Sequence, residues 1–266
     1  VVTPHALPLR RQRVVILAVL LALAALAWAL VVWQALAMRA PSTMAGSMGT
    51  PSGLTMGMGA ALFLAIWIAM MVAMMFPASA PMVLMFGAIA AGKRSRGQAY
   101  VPTWIFVSGY LLAWTLAGVV AYLAAAGLDA LASRSMLLLD NAGRIGGVLL
   151  VAAGIYQLSP LKNVCLATCR TPTQFLMTSW RDGYVGALRM GIQHGAFCLG
   201  CCWLLFVILF PLGMMNIAAL ALLTALIFTE KVLSIGRLAS VIAGIALIVY
   251  GVLVVVQPAL LPGTMS

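Results

Sequence analysis

The chain has 266 residues, 65% of them hydrophobic and only 7% charged, with a mean hydropathy of +1.15. A soluble domain carries about a quarter charged residues, so this composition excludes a water-soluble globular protein. It predicts an all-α, polytopic transmembrane helix bundle, a single integral membrane domain over residues 1–266. The net charge of +11 does not point to nucleic acid, because the basic residues sit in short clusters between apolar runs. That is the distribution of topology determinants and of contacts with anionic lipids in a bilayer.

At about 20 residues per crossing, seven spans are predicted. The first, 14–37, follows Arg10, Arg11 and Arg13. Its apolar run exceeds the roughly 7–15 residues of a signal-peptide core, which favours a retained anchor over a cleaved leader. An extracytoplasmic loop within 37–59, rich in Gly, Ser, Thr and Pro, carries Met44, Met48, Met56 and Met58.

The second span, 60–91, contains Pro77 and Pro81. Proline removes a ladder donor and clashes with the preceding turn, so the span is expected to be broken there. Spans three to seven are 102–126, 143–158, 184–210, 216–235 and 238–256. With these boundaries twelve Lys and Arg fall on the side of the N-terminus. Only Arg39, Arg134 and Arg144 fall on the other. The positive-inside rule then places the N-terminus in the cytoplasm of a multi-pass inner-membrane protein.

The chemistry-bearing residues concentrate in the core, 60–237. Span five reads MGIQHGAFCLGCCWLLFVIL from Met190. His194, Cys198, Cys201 and Cys202 share an arc of roughly 100° on a helix. Imidazole and thiols are what soft and borderline transition metals prefer, and polar groups at membrane depth are costly. Gly191, Gly195 and Gly200 permit close approach of a neighbouring helix that could complete a coordination shell. A buried thiol can equally serve as a small packing residue.

Met70, Met71, Met74 and Met75 form a second stripe, about 140° wide, just before Pro77. Because spans two and five run in opposite directions, Met74 and Met75 fall near the depth of His194 and Cys198. Copper ligation and plain packing both remain open for this stripe. Cys165 and Cys169, four apart, face one way if their segment is helical. They read as a cytoplasmic metal exchange point, a redox pair, or two ordinary thiols, with Lys162 and Arg170 beside them to favour the thiolate.

Glu230 is the only glutamate, and Lys231 follows it. Neighbours on a helix do not face each other, so Glu230 is expected to meet another basic residue or to act as a relay, with an interfacial charge anchor as the bland alternative. Met214 and Met215 lie at the outer end of span six, beside the Met-rich loop. No Walker loop, GxGxxG, GxSxG or HExxH occurs. Two histidines exclude a His-rich haem or di-iron core, and His5 lies in the N-terminal tail.

The blocks AMMVAMMFPASAPM, LKNVCLATCRTP, GIQHGAFCLGCCW, GMMN and EK, in this order, resemble a bacterial domain-of-unknown-function family of predicted metal-binding integral membrane proteins. The resemblance implies a multi-span inner-membrane protein with a metal site, and no mechanism. Ligand softness then favours copper, as Cu(I), over zinc. The expected function is copper handling or transport, with a metallochaperone or another membrane protein as exchange partner. A membrane oxidoreductase using copper or thiols, and an accessory subunit of a membrane complex, are the alternatives; whether the chain is an enzyme stays open.

Overall fold

The computed structural model describes residues 9–39, 53–98 and 100–261. Met44, Met48 and His5 lie outside the described residues. Among the described residues the fold is entirely helical. The helices are α1 (Leu9–Arg39), α2 (Ala60–Ser95), α3 (Thr103–Ala132), α4 (Met136–Asp140), α5 (Ala142–Leu158), α6 (Pro160–Arg170), α7 (Pro172–Ser179), α8 (Gly183–Val207), α9 (Leu209–Leu212), α10 (Ile217–Val232) and α11 (Gly236–Val256).

Each of the seven predicted stretches falls mostly on helix, but they are not equivalent. Five stretches are long and apolar enough to cross a bilayer: Arg10–Ala37, Ala60–Ser95, Thr103–Ala132, Gly183–Leu212 and Gly236–Val256. A sixth arises if α5 and α6, bent by 61° at Ser159, are taken together. Helix α10 has 16 residues, short of the roughly 20 a bilayer core takes.

The expected break at Pro77 and Pro81 does not occur. Helix α2 runs unbroken through both prolines for 36 residues. The flanking side chains of Met75, Phe76, Ala78, Ser79, Ala80 and Met82 are all buried. Packing on these sides holds the helical path that the two missing N–H donors would otherwise weaken.

Small residues set the other close approaches. Helices α5 and α11 meet backbone to backbone: a Cβ on Gly147 would stand 2.9 Å from Gly251 O, and one on Gly154 would stand 2.6 Å from Gly244 O. Helix α3 meets α8 in the same way, since a Cβ on Gly109 or Gly191 would run into Leu188 O or Phe106 O. Helices α2 and α3 are antiparallel, with Phe63 against Tyr122, Trp67 against Gly118 and Phe86 against Phe106.

The bend between α5 and α6 is written locally in Ser159-Pro160. Ser159 caps α6, accepting from Lys162 N at 3.2 Å, and Pro160 occupies the first turn, where its missing donor costs nothing. The chain folds back along α8, so that Cys165 lies against Gly200 and Phe175 against His194. The periphery remains apolar, with Leu26, Trp33, Leu123, Leu222 and Ile242 all exposed.

Candidate metal centre

Helix α8 presents His194, Cys198, Cys201 and Cys202 to the interior, each no more than 2% exposed. Its glycines decide what reaches them. Gly191 and Gly195 admit α3, which delivers Tyr110. The Tyr110 hydroxyl lies 3.0 Å from Cys198 Sγ and its ring stacks on His194 at 5.5 Å. From α2, Met75 Sδ lies 3.9 Å from Cys198 Sγ. Of the predicted methionine stripe, Met75 is the member whose sulfur meets a thiol. Met70, Met71 and Met74 are buried in the core around it.

Helix α6 supplies the remaining sulfur. Gly200 leaves space for Cys165, whose Sγ would stand 2.9 Å from a Cβ there. One turn on, the half-buried Cys169 thiol stands close enough to those of Cys198 and Cys201 to interact with them. Cys201 and Cys202 also donate to Cys198 O at 3.0 and 2.8 Å. All five cysteines are free thiols. Neither base flanking the α6 cysteines attends to them: Arg170 donates to Leu233 O at 2.9 Å, and Lys162 turns elsewhere.

The cation among the sulfurs is Lys231. Its Nζ lies 2.9 Å from Cys198 Sγ and 3.8 Å from Met75 Sδ. Lys231 occupies the last turn of α10, where the helix dipole favours positive charge. Its neighbour Glu230 faces a different pocket. There the carboxylate takes Lys162 Nζ at 2.7 Å and a hydrogen bond from Gln157 Nε2. Lys162 also donates to Ser240 Oγ at 3.1 Å, and Ser240 donates to Gln157 O at 3.2 Å. Lys162 and Glu230 are 0% and 2% exposed.

The other predicted residues are not brought to this place. Met214 and Met215 sit in the turn before α10, on the order of 20 Å from Lys231 by the 1.5 Å rise of a helix. Met214 is buried and Met215 half-buried. Met56 and Met58 are half-buried in a turn that Asp129 of α3 holds, its carboxylate accepting from Leu54 N at 2.7 Å and Thr55 N at 3.0 Å.

Tyr110, Gln157 and Ser240 were not singled out in the sequence. Gln157 and Ser240 carried a usable signal, as polar residues inside apolar runs. Tyr110 carried none.

Two features bear on whether this cluster suits a metal. His194 Nδ1 is buried without a hydrogen-bond partner among the described residues, although buried polar atoms are ordinarily satisfied. The sulfur set, thiols plus a thioether, is the donor type that Cu(I) prefers. Against this, no three His, Cys, Asp or Glu side chains among the described residues are arranged as a ready metal site. The convergence is one of helices and side chains rather than of finished coordination. A cleft of about 340 Å³ is lined by Phe175 together with Thr168, Thr171, Gln174, Thr178 and Gln193. The Phe175 ring centroid lies 5.7 Å from that of His194.

A family model for the copper chaperone PpoB2 matches residues 64–254, a stretch that contains every residue of the sulfur cluster and of the Lys162–Glu230 pocket. The chain belongs to the PpoB2 copper chaperone family. No curated protein and no solved structure matches it. Membership supports a copper-related role and a transition-metal ion as the partner.

Proposed function

We propose that the chain is an integral membrane copper chaperone that holds Cu(I) in the pocket where α2, α6, α8 and α10 meet. The ligands would come from Cys169, Cys198, Cys201 and Cys202, with the Met75 thioether and the His194 imidazole at hand. The observation that carries this reading is the approach of the Met75 thioether from α2 to Cys198 of α8, with the Cys165 thiol of α6 packed against Gly200 on the same helix. Sulfur from three separate helices is not needed to fill a core, and it matches the cargo of the family. Cu(I) is cargo here, so ligands must be able to exchange. Cys165, beside Gly200, and the cleft that Phe175 borders would serve the cytoplasmic side of that exchange.

The outward apolar faces support a bilayer, since soluble monomers rarely expose contiguous apolar patches larger than a few hundred Å². Residues 1–266 would form one membrane domain of seven crossings, α10 being short because it ends inside the bundle on the sulfur cluster. The N-terminus would be cytoplasmic, in the inner membrane. Met56, Met58 and Met215, all half-buried, would then belong to an outer capture surface together with Met44 and Met48 of the Met-rich loop, whereas the buried Met214 would reach metal only if the turn before α10 opened. Whether copper crosses or is only held is a matter of which carriers meet the two ends.

Metal analysis of protein purified gently from copper-replete cells tests the pocket. One Cu(I) per chain, lost in Cys198→Ser, is the expected result. Substoichiometric copper in the unaltered chain would end the proposal. Labelling of single cysteines placed before α1 and after α11 tests the orientation, and equal reactivity from one side would overturn the odd number of crossings.

A further inference from the structure

We propose that Lys231 is the fixed counter-cation of a two-thiolate Cu(I) centre, so that the pocket selects for a monovalent soft cation by charge as well as by softness. The inference rests on the reading of the sulfur cluster as a copper site.

Lys231 is 8% exposed, and its ammonium faces Cys198 Sγ and Met75 Sδ. Among the described residues no carboxylate forms an ion pair with it. The nearest in sequence, Glu230, is committed to Lys162 in a pocket that is already neutral. A buried charge ordinarily has a partner of opposite sign. The groups around Lys231 that can supply one are the thiols. Charge bookkeeping then fits one occupant: two thiols each release a proton, their sulfurs bind Cu(I), and the resulting centre carries one negative charge. The ammonium cancels it. The Met75 thioether, the Tyr110 hydroxyl and a neutral His194 add nothing to the sum. A divalent ion with the same two thiolates would be neutral already, leaving Lys231 uncompensated in a low-dielectric interior.

Hg(II) makes the comparison clean, because it also takes two thiolates in a line and differs from Cu(I) by one charge. The experiment measures Cu(I) affinity by competition with a chromophoric Cu(I) chelator, and Hg(II) affinity from its thiolate absorption. It uses purified full-length protein in lipid nanodiscs, as the unaltered chain, Lys231→Arg and Lys231→Leu. The expected result is that Lys231→Leu, which removes the charge without adding a metal donor, loses at least about tenfold in Cu(I) affinity, about 1.4 kcal/mol, while Hg(II) affinity holds or rises. Lys231→Arg should stay near the unaltered chain. Equal losses for both metals would overturn the proposal by making Lys231 a residue that merely positions Cys198. Tighter Cu(I) binding in Lys231→Leu would overturn it by making the ammonium a competitor for the site. Should Lys231→Leu not fold, Lys231→Gln carries the same comparison. An unaltered chain that binds neither metal would take down the copper-site reading and this inference with it. A chain that binds both, with variants that do not discriminate, would take down the inference alone.

Discussion

Glu230 and Lys231 are consecutive, both buried, and surrounded by opposite kinds of chemistry. Glu230 sits in a closed polar circuit, with Lys162, Gln157 and Ser240 supplying donors and acceptors from α6, α5 and α11. Lys231 sits among sulfur, with no carboxylate among the described residues paired to it. The first pocket is complete as it stands. The second is balanced only if something else arrives or a thiol gives up its proton. A complete buried circuit acts on the fold, by fixing which helix lies beside which. An incomplete one is where a ligand can contribute free energy that the protein has not already spent.

If the difference is one of structure against function, substitutions should separate the two pockets by the quantity they change. The largest effect on stability is expected from Glu230→Gln, which leaves the Lys162 ammonium buried and uncompensated. Breaking a buried pair from one side costs about 3–5 kcal/mol. The midpoint of thermal unfolding in detergent should fall accordingly, and an unchanged midpoint would dismiss the circuit as decoration. The double variant Lys162→Met/Glu230→Leu should recover most of the loss, because the desolvation cost disappears with the charges. It should also retain its copper, because neither charge touches the sulfur cluster.

Cys198→Ser should do the reverse. Tyr110 Oη and Lys231 Nζ, at 3.0 and 2.9 Å from the sulfur, can both pair with a serine hydroxyl. The expected stability change is within about 1 kcal/mol, the net worth of a typical hydrogen bond. Cu(I) affinity should drop by about 100-fold, twice the ~1.4 kcal/mol that a factor of ten represents. A drop in stability with no change in copper would exchange the roles of the two pockets. Met75→Leu is the gentler form of the same test. The swap nearly conserves volume and should cost less than about 1.5 kcal/mol in packing. Cu(I) binding should weaken by about tenfold, since one neutral sulfur is lost and no charge is disturbed. Indifference of the metal to Met75 would reduce α2 to scaffolding.

The helix positions were legible because apolar runs of span length carry their own signal. The α8 stripe was legible because a periodicity of 3.6 residues places His194, Cys198, Cys201 and Cys202 on one face. The role of α6 was only half legible. Cys165 and Cys169 could be assigned one face, but which helix that face meets depends on the bend at Ser159-Pro160 and on the space left by Gly200. Lys162 and Arg170 were read as companions of the α6 cysteines by nearness in sequence. In the folded chain Lys162 is drawn to Glu230, and Arg170 to the carbonyl of Leu233, and these long-range pairings have no local signature. The prolines of α2 show the opposite failure. Pro77 and Pro81 carry a strong local signal for a break, and burial on the flanking sides overrides it. Tyr110 could not be singled out at all, since its value comes only from the glycines of α8 that let α3 approach.

The smallest expected effect tests whether charge as such, away from either pocket, matters. At the end of α2, Lys93 pairs with Asp182 ahead of α8, and Trp180 Nε1 donates to the same carboxylate at 2.9 Å. The hydrogen bond from Lys93, then that from Trp180, holds the Asp182 carboxyl below its ordinary range. A carboxyl depressed in the folded state stabilises the fold where it is ionised, above the unfolded-state pKa. That contribution disappears as pH falls through the lower, folded value. Asp182 lies in water, where exposed pairs are screened and contribute little. Asp182→Asn should therefore unfold only slightly more easily than the unaltered chain at neutral pH, converge with it in acid, and bind copper unchanged. A large neutral-pH difference that survives high salt would mean that the joint between α2 and α8, and with it the Met75–Cys198 approach, is held from this end rather than by the core.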